Sequence, residues 1–228
     1  MAKCILRWAV FCLLVGLIAF PAPADPVPGA AMSLAGKIIV LDPGHATKNN
    51  AGAIINEGAK ARHGGPFERD VALAVGSRIV PLLEARGAKV FMTRTERNPW
   101  RYSEFRLGDN RARAIFANLL RGNAYVRLHC DWNRDRKFKG HTTYYFQWAS
   151  RSLAASINEA LNKTMTDQRD NGVHRRSFVS VTARMPTALV EMGVLSYKPE
   201  GKVLGDAAYQ DQLAKGIADG ITAYLVNQ

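Results

Sequence analysis

Short apolar runs rich in β-branched residues alternate with longer stretches whose apolar positions recur every three or four residues, and this alternation limits the fold most. Lys37 to Leu41 reads as a buried strand opening into the loop Asp42-Pro43-Gly44. Val71, Val75, Ile79, Leu82 and Leu83 then fall at helical spacing, and Gly87 stops that helix. Lys89 to Thr93 is the next strand. Phe105, Ala112, Ile115, Phe116 and Leu119 mark a second helix, closed by Gly122-Asn123. Ala124 to Cys130 and Thr142 to Phe146 are a third and a fourth strand. Leu153, Ile157, Leu161 and Met165 make another helical stripe. Thr187 to Met192 is a fifth strand, with a shorter one expected at Phe178 to Val181, and Leu213, Ile217, Ile221 and Leu225 form the closing helix. Strands alternating with helices predict an α/β fold: a single layered domain with a mixed, largely parallel central sheet flanked by helices. No helix separates 124–130 from 142–146, so an antiparallel pairing of those two strands is expected.

The N-terminus has a different character. Lys3 and Arg7 precede an apolar run from Trp8 to Phe20, and Ala22-Pro23-Ala24 then offers a small-x-small cleavage site. This is the layout of a secretory signal peptide, and the run is short for a membrane span. The expected organisation is a signal peptide at 1–24, a linker at 25–36 and a single folded domain at 37–228. Export is therefore expected, to the periplasm ahead of the extracellular medium, with no stable membrane insertion after cleavage. Cys4 and Cys12 leave with the signal, so Cys130 is the one remaining thiol and no internal disulfide forms. Lys+Arg 31 against Asp+Glu 19 gives +12, or +10 once Lys3 and Arg7 are gone. Such a charge suits a polyanion, and export argues against nucleic acid. Runs such as Arg134, Arg136, Lys137 and Lys139 serve solubility equally well.

Residues 44 to 65 form a long, polar, Gly-rich stretch without periodicity, and loops of that length in a compact domain are commonly functional. Ligands in an open α/β sheet bind outside the carboxyl ends of the strands. His45 follows the first strand, His129 ends the third, Glu191 lies late in the fifth, and Glu68 opens the first helix. Four chemically active side chains thus reach one edge of one sheet. Two imidazoles and one carboxylate with a fourth position open to water make a catalytic zinc site, where the metal activates water and polarises a carbonyl. A further carboxylate outside the metal shell moves the proton, and Glu191 is the candidate, since an acid flanked by Leu189, Val190 and Met192 is costly to bury without a task. Singly, each has a plain reading: a His after a strand makes structural hydrogen bonds, and a helix-opening Glu complements the helix dipole.

Taken in order, these segments resemble the catalytic domain of the zinc-dependent N-acetylmuramoyl-L-alanine amidases, from about Lys37 to Leu225. Ile38-Ile39-Val40-Leu41-Asp42-Pro43-Gly44-His45 resembles that family's opening strand with its first metal His. Glu68-Arg69-Asp70-Val71-Ala72-Leu73 resembles its metal-binding Glu and the helix that follows. Thr93-Arg94-Thr95, and Arg113 with Ala117-Asn118, fit its middle section. Leu128-His129 matches the second metal His, and Leu189-Val190-Glu191-Met192-Gly193 the catalytic Glu. The resemblance implies one Zn2+ per chain on His45, Glu68 and His129, with Glu191 as base and then acid. It implies peptidoglycan as substrate and the amide between N-acetylmuramic acid and L-alanine as the bond cut. An activator protein is compatible with the sequence but not implied by it.

Three departures carry expectations of their own. Arg127 replaces the family's small Ser two residues before His129, so it either contacts an anionic substrate group or forms a structural ion pair; Asp131 is a second candidate substrate contact. Thr182 stands where a basic residue is usual. No extra helical segment between His129 and Glu191 is large enough to plug the site, so an open site is expected.

Rival readings are a zinc peptidase acting within the stem peptide and a peptidoglycan-binding protein of the same fold without catalysis. A Cys130 peptidase is disfavoured, because neighbours on a strand point to opposite faces. His63, His141 and His174 are substitute ligands to consider, and Trp100, Tyr102, Trp132 and Phe138 are candidates for stacking on sugar rings.

Overall fold

The computed structural model describes residues 33–49, 51–96, 109–177 and 182–228. The expected signal peptide, Trp100, Tyr102, Phe105 and the short strand at 178–181 lie outside these residues.

Strand β1 (Ile38–Pro43) is followed by a small hairpin, β2 (Thr47–Lys48) and β3 (Ile54–Asn56), before helix α1 (Glu68–Glu84). The apolar stripe of α1 becomes its inner face: Val71, Val75, Ile79 and Leu83 are at most 1% exposed. Each such burial contributes about 1.5–3 kcal/mol. Gly87 ends the helix as expected, with φ 91°, a left-handed conformation that favours glycine. Strand β4 (Lys89–Met92), helix α2 (Asp109–Leu119) and strand β5 (Ala124–Asp131) come next. They lead to β6 (His141–Tyr145), α3 (Arg151–Thr164), β7 (Asp170–Arg175) and β8 (Thr187–Val194), and then to α4 (Lys198–Val203) and α5 (Ala207–Val226).

Six strands form one sheet in the order β4-β1-β5-β8-β6-β7. Four of its five pairings are parallel, and only β6 against β8 is antiparallel. The mixed, largely parallel α/β sheet expected from the sequence is present, but the antiparallel partner is different. β5 has β1 on one side and β8 on the other, so both its edges are taken and β6 must join the far side of β8. The sequence reading also passes over β7, because Asp170-Asn171-Gly172 looks like a turn and an edge strand needs no apolar stripe.

The two faces of the sheet are covered unequally. One buries Ile39, Leu41, Val126, Leu128, Val190 and Met192 beneath α1, α3 and α5. Helices α3 and α5 approach closely at Gly220, where a Cβ would run into the Ile157 backbone and lie 2.7 Å from the Ser156 carbonyl oxygen. On the other face, α2 packs Ala114 and Ala117 against Val40 and Tyr125. That smaller cover leaves the carboxyl ends of β5 and β8 part-exposed on the same face, at His129, Asp131 and Glu191.

Candidate active site

The polypeptide leaves β1 through Pro43-Gly44 and turns sharply at His45 and Ala46, both left-handed with φ 62° and 56°. Non-glycine residues hold such angles only when their surroundings fix them, and here two arginines do so. Arg94 donates to the carbonyl oxygens of Pro43 (2.9 Å) and Gly44 (2.7 Å), and Arg113 to that of His45 (2.9 Å). Beneath the turn, Asp42 is wholly buried and accepts hydrogen bonds from Thr93, Arg113, Tyr125 and Arg127.

Three side chains meet above this support. His45 Nε2 and His129 Nδ1 each lie 2.9 Å from Glu68 Oε1. One donor atom from each of the three falls within 4.8 Å of the others, and among the described residues no other group of His, Cys, Asp or Glu does so. Gly44 permits the approach, since a Cβ there would lie 2.7 Å from His129 Nδ1. The carboxylate is anchored from behind by the backbone N–H groups of Ala59 (3.0 Å, to Oε2) and Cys130 (3.2 Å, to Oε1). Burial pushes Glu68 up, but the hydrogen bonds from His129 and His45 outweigh it and hold the carboxyl below its usual range. Burial also holds the His129 imidazole below its ordinary value, which favours the neutral ring. Its Nε2 is buried without a hydrogen-bond partner. Two imidazoles around a single ionised carboxylate are able to hold a zinc ion, with room for further ligands on the open side.

Glu191 is the neighbour of His129 in the sheet register and sits between it and Thr142 of β6. The three share a face, because side chains alternate along each strand. Burial, then the nearby carboxylates of Glu68 and Asp131, push the Glu191 carboxyl well above the glutamate range, against a weaker pull from Arg127. Its Oε2 is buried without a hydrogen-bond partner. Asp131 is half-buried two residues past His129, beyond a bulge in the β5–β8 pairing.

Arg127 forms the ion pair that is one of the two roles expected for it. It is 2% exposed, with Nε 3.0 Å from Asp42 Oδ2 and Nη2 2.7 Å from Asn110 Oδ1, so it is a buried ion-pair residue beneath the site. His141 is fully buried between Gln168 and Asn162, and His174 caps the Asn171 carbonyl, both away from the three-residue cluster. The His63 side chain lies outside the described residues. Cys130 faces the opposite, buried side of β5, where burial raises its thiol well above the usual value. Trp132 is exposed, with the Arg62 guanidinium 4.9 Å from its ring, and Phe138 is half-buried. Helix α3, the α-helix between His129 and Glu191 among the described residues, packs on α5 in the core on the opposite face of the sheet from those two side chains. Sequence reasoning missed Asn56, whose Oδ1 is 2.8 Å from His45 Nδ1. It also missed the support role of Asp42, although an acid alternating with buried Leu41 and Val40 was a signal.

Residues 39–223 match the sequence pattern of the family described as N-acetylmuramoyl-L-alanine amidase. The chain belongs to that family. This amidase is therefore an enzyme that hydrolyses amides, of the class that acts on cell walls. It is 32% identical over 211 residues to the germination-specific N-acetylmuramoyl-L-alanine amidase of Bacillus subtilis (strain 168), covering 87% of this chain and 84% of that protein. The amidase superposes on the catalytic domain of CwlV from Bacillus (Paenibacillus) polymyxa var. colistinus with a TM-score of 0.72 and 28% identity, covering 83% of this chain and 98% of the other. The CwlD amidase of Clostridioides difficile, solved in complex with the GerS lipoprotein, gives a TM-score of 0.70 at 26% identity, covering 84% and 100%.

Proposed function

We propose that this amidase is a zinc-dependent hydrolase of peptidoglycan that cuts the amide between the lactyl group of N-acetylmuramic acid and L-alanine. His45, Glu68 and His129 hold the ion, Glu191 is the catalytic acid and base, and Asp131 contacts substrate from the open side. The observation that carries the reading is the convergence of two imidazoles on one buried carboxylate oxygen, with a further unpaired carboxylate in register beside it. Bound zinc supplies Lewis-acid polarisation of the carbonyl and a lowered pKa for water. Glu191 takes the proton from the attacking water as the new C–O bond forms on the lactyl carbonyl carbon. It then delivers that proton to the departing amine of L-alanine as the C–N bond breaks, leaving a lactyl carboxylic acid, whose remaining proton passes to solvent at neutral pH, and a free α-amine. Burial and the neighbouring carboxylates raise the Glu191 carboxyl, the direction in which a carboxyl holds and passes on a proton more readily. The part-exposed rim at His129, Asp131 and Glu191 suits a polymeric substrate that must be reached from solvent.

Export follows from the reading of residues 1–24 as a signal peptide, with the periplasm as destination. Among the described residues no helix is long and apolar enough to cross a membrane. The C. difficile relative was solved in complex with a lipoprotein, so a protein partner is included as one arm of the assay. The test is digestion of purified peptidoglycan with and without a chelator, alongside Glu191→Ala. Chelator-sensitive release of intact stem peptides with a free L-alanine amine, lost in Glu191→Ala, is expected. Shortened stems would instead identify a peptidase, and tight peptidoglycan binding without products from zinc-loaded protein would identify a wall-binding role.

A further inference from the structure

The polar, Gly-rich stretch that follows β1 folds back over two of the three clustered side chains. The β2–β3 hairpin pairs Thr47 with Asn56, and the Ala46 N–H donates to the Asn56 carbonyl at 2.7 Å, so the hairpin closes on the residue next to His45. From there Asn56 Oδ1 reaches His45 Nδ1 at 2.8 Å, while the other ring nitrogen faces Glu68 Oε1 at 2.9 Å. Gly58, with φ 73°, lies flat against the His45 ring, where a Cβ would come within 2.8 Å of two ring carbons and 2.9 Å of Glu68 Oε2. The next N–H, that of Ala59, holds that same oxygen. The segment 56–59 thus touches both His45 and Glu68 from outside.

An imidazole offers a nitrogen lone pair to a cation only if its proton sits on the other nitrogen, which then needs an acceptor. An asparagine side chain presents either an acceptor oxygen or a donor amide. The amide edge at this point would leave the proton on Nε2 and shut it to a metal; the oxygen edge frees it. We propose that Asn56 is a positioning residue that holds His45 with its proton on Nδ1 and Nε2 directed to the metal, and that the β2–β3 hairpin delivers it there. The proposal rests on the zinc reading above.

Because Asn56 is exposed and lies on a two-stranded sheet outside the core, its substitution leaves the main sheet intact. The measurement is the zinc dissociation constant of the whole protein, by competition with a chromogenic chelator. Asn56→Leu and Asn56→Ala are expected to weaken zinc roughly 10- to 100-fold, the usual effect of losing such a partner. Asn56→Asp, which can only accept, is expected to bind within about threefold of wild type or more tightly. Ile55→Asp adds the same charge one residue away at a 56% exposed position and is expected to lack that rescue when combined with Asn56→Ala. If the Leu and Ala variants hold zinc like wild type while His45→Ala loses it, Asn56 has no such role. Failure of Asn56→Asp to retain zinc equally overturns it. Zinc binding that survives His45→Ala would remove the metal reading itself.

Discussion

Asp42→Asn keeps the shape of a wholly buried side chain and removes its charge. Four donors meet the native carboxylate: Thr93 Oγ1 at 2.6 Å, Arg113 Nη1 and Tyr125 Oη at 2.8 Å, and Arg127 Nε at 3.0 Å. Both guanidiniums are buried, Arg113 at 1% and Arg127 at 2% exposure, so the variant leaves both facing a neutral amide, with Arg113 keeping its second ion pair, to Asp109. Removing one partner of a buried ion pair costs about 3–5 kcal/mol, a large share of the roughly 5–15 kcal/mol that holds a domain together. For a domain of this size that corresponds to a fall in Tm of roughly 6–20 °C. The pH dependence gives a second check. Burial raises the Asp42 carboxyl, but Arg113, Arg127 and Thr93 outweigh it and hold the group far below the ordinary range. A lowered folded value means the stabilisation is complete above the unfolded value near pH 4 and drains as pH falls, by up to about 1.4 kcal/mol per unit. Guanidinium titrations of metal-free protein at pH 7, 5 and 3 should therefore show a constant gap between wild type and variant down to pH 5, narrowing at pH 3. A gap under about 1 kcal/mol at pH 7, or one that widens in acid, would refute the reasoning.

Glu191→Gln should abolish hydrolysis yet stabilise the metal-free protein at pH 8. Burial and its acidic neighbours raise the native carboxyl, so ionising it above the glutamate range costs stability, and the gain should vanish near pH 4. Paired denaturant titrations at the two pH values check this. Gly220→Ala should lose about 1–3 kcal/mol in a thermal or denaturant melt, because its Cβ meets α3 backbone that cannot move aside cheaply. Cys130, 3% exposed with its thiol raised by burial, should resist a thiol reagent in the folded protein and react fully in denaturant.

Much of the scaffold was legible because its signals are local. The stripe at Val71, Val75, Ile79 and Leu83, the β-branched run at Ile38–Leu41 and the stop at Gly87 each state their structure within a few residues. His45, His129 and Glu191 could be brought to one edge because each ends or nearly ends a strand, and carboxyl ends of parallel strands gather. What was not legible depends on long-range pairing. The partner of β6 is decided by which edges β5 leaves free, and no property of 142–146 reveals that. β7 is an edge strand with a turn-like sequence, and its identity comes from the neighbour it joins. Arg127 shares a strand face with His129, yet its charge is claimed from below by Asp42, an interaction across 85 positions of sequence. Asn56 gave no signal at all, because a polar residue in a polar loop acquires meaning only when the hairpin folds onto His45.

The strand order β4-β1-β5-β8-β6-β7 places the last strand in the chain at the middle of the sheet. Without β8, β5 and β6 have no strand neighbour in common, and the β6–β7 pair has no strand connection to the rest of the sheet. Only β8 joins the two parts, parallel to one and antiparallel to the other. Glu191 rides on that joining strand, directly beside His129. On the function proposed above, the proton carrier is therefore supplied by the strand that joins the two parts of the sheet. The pairing that closes the sheet is thus also the one that sets Glu191 beside His129.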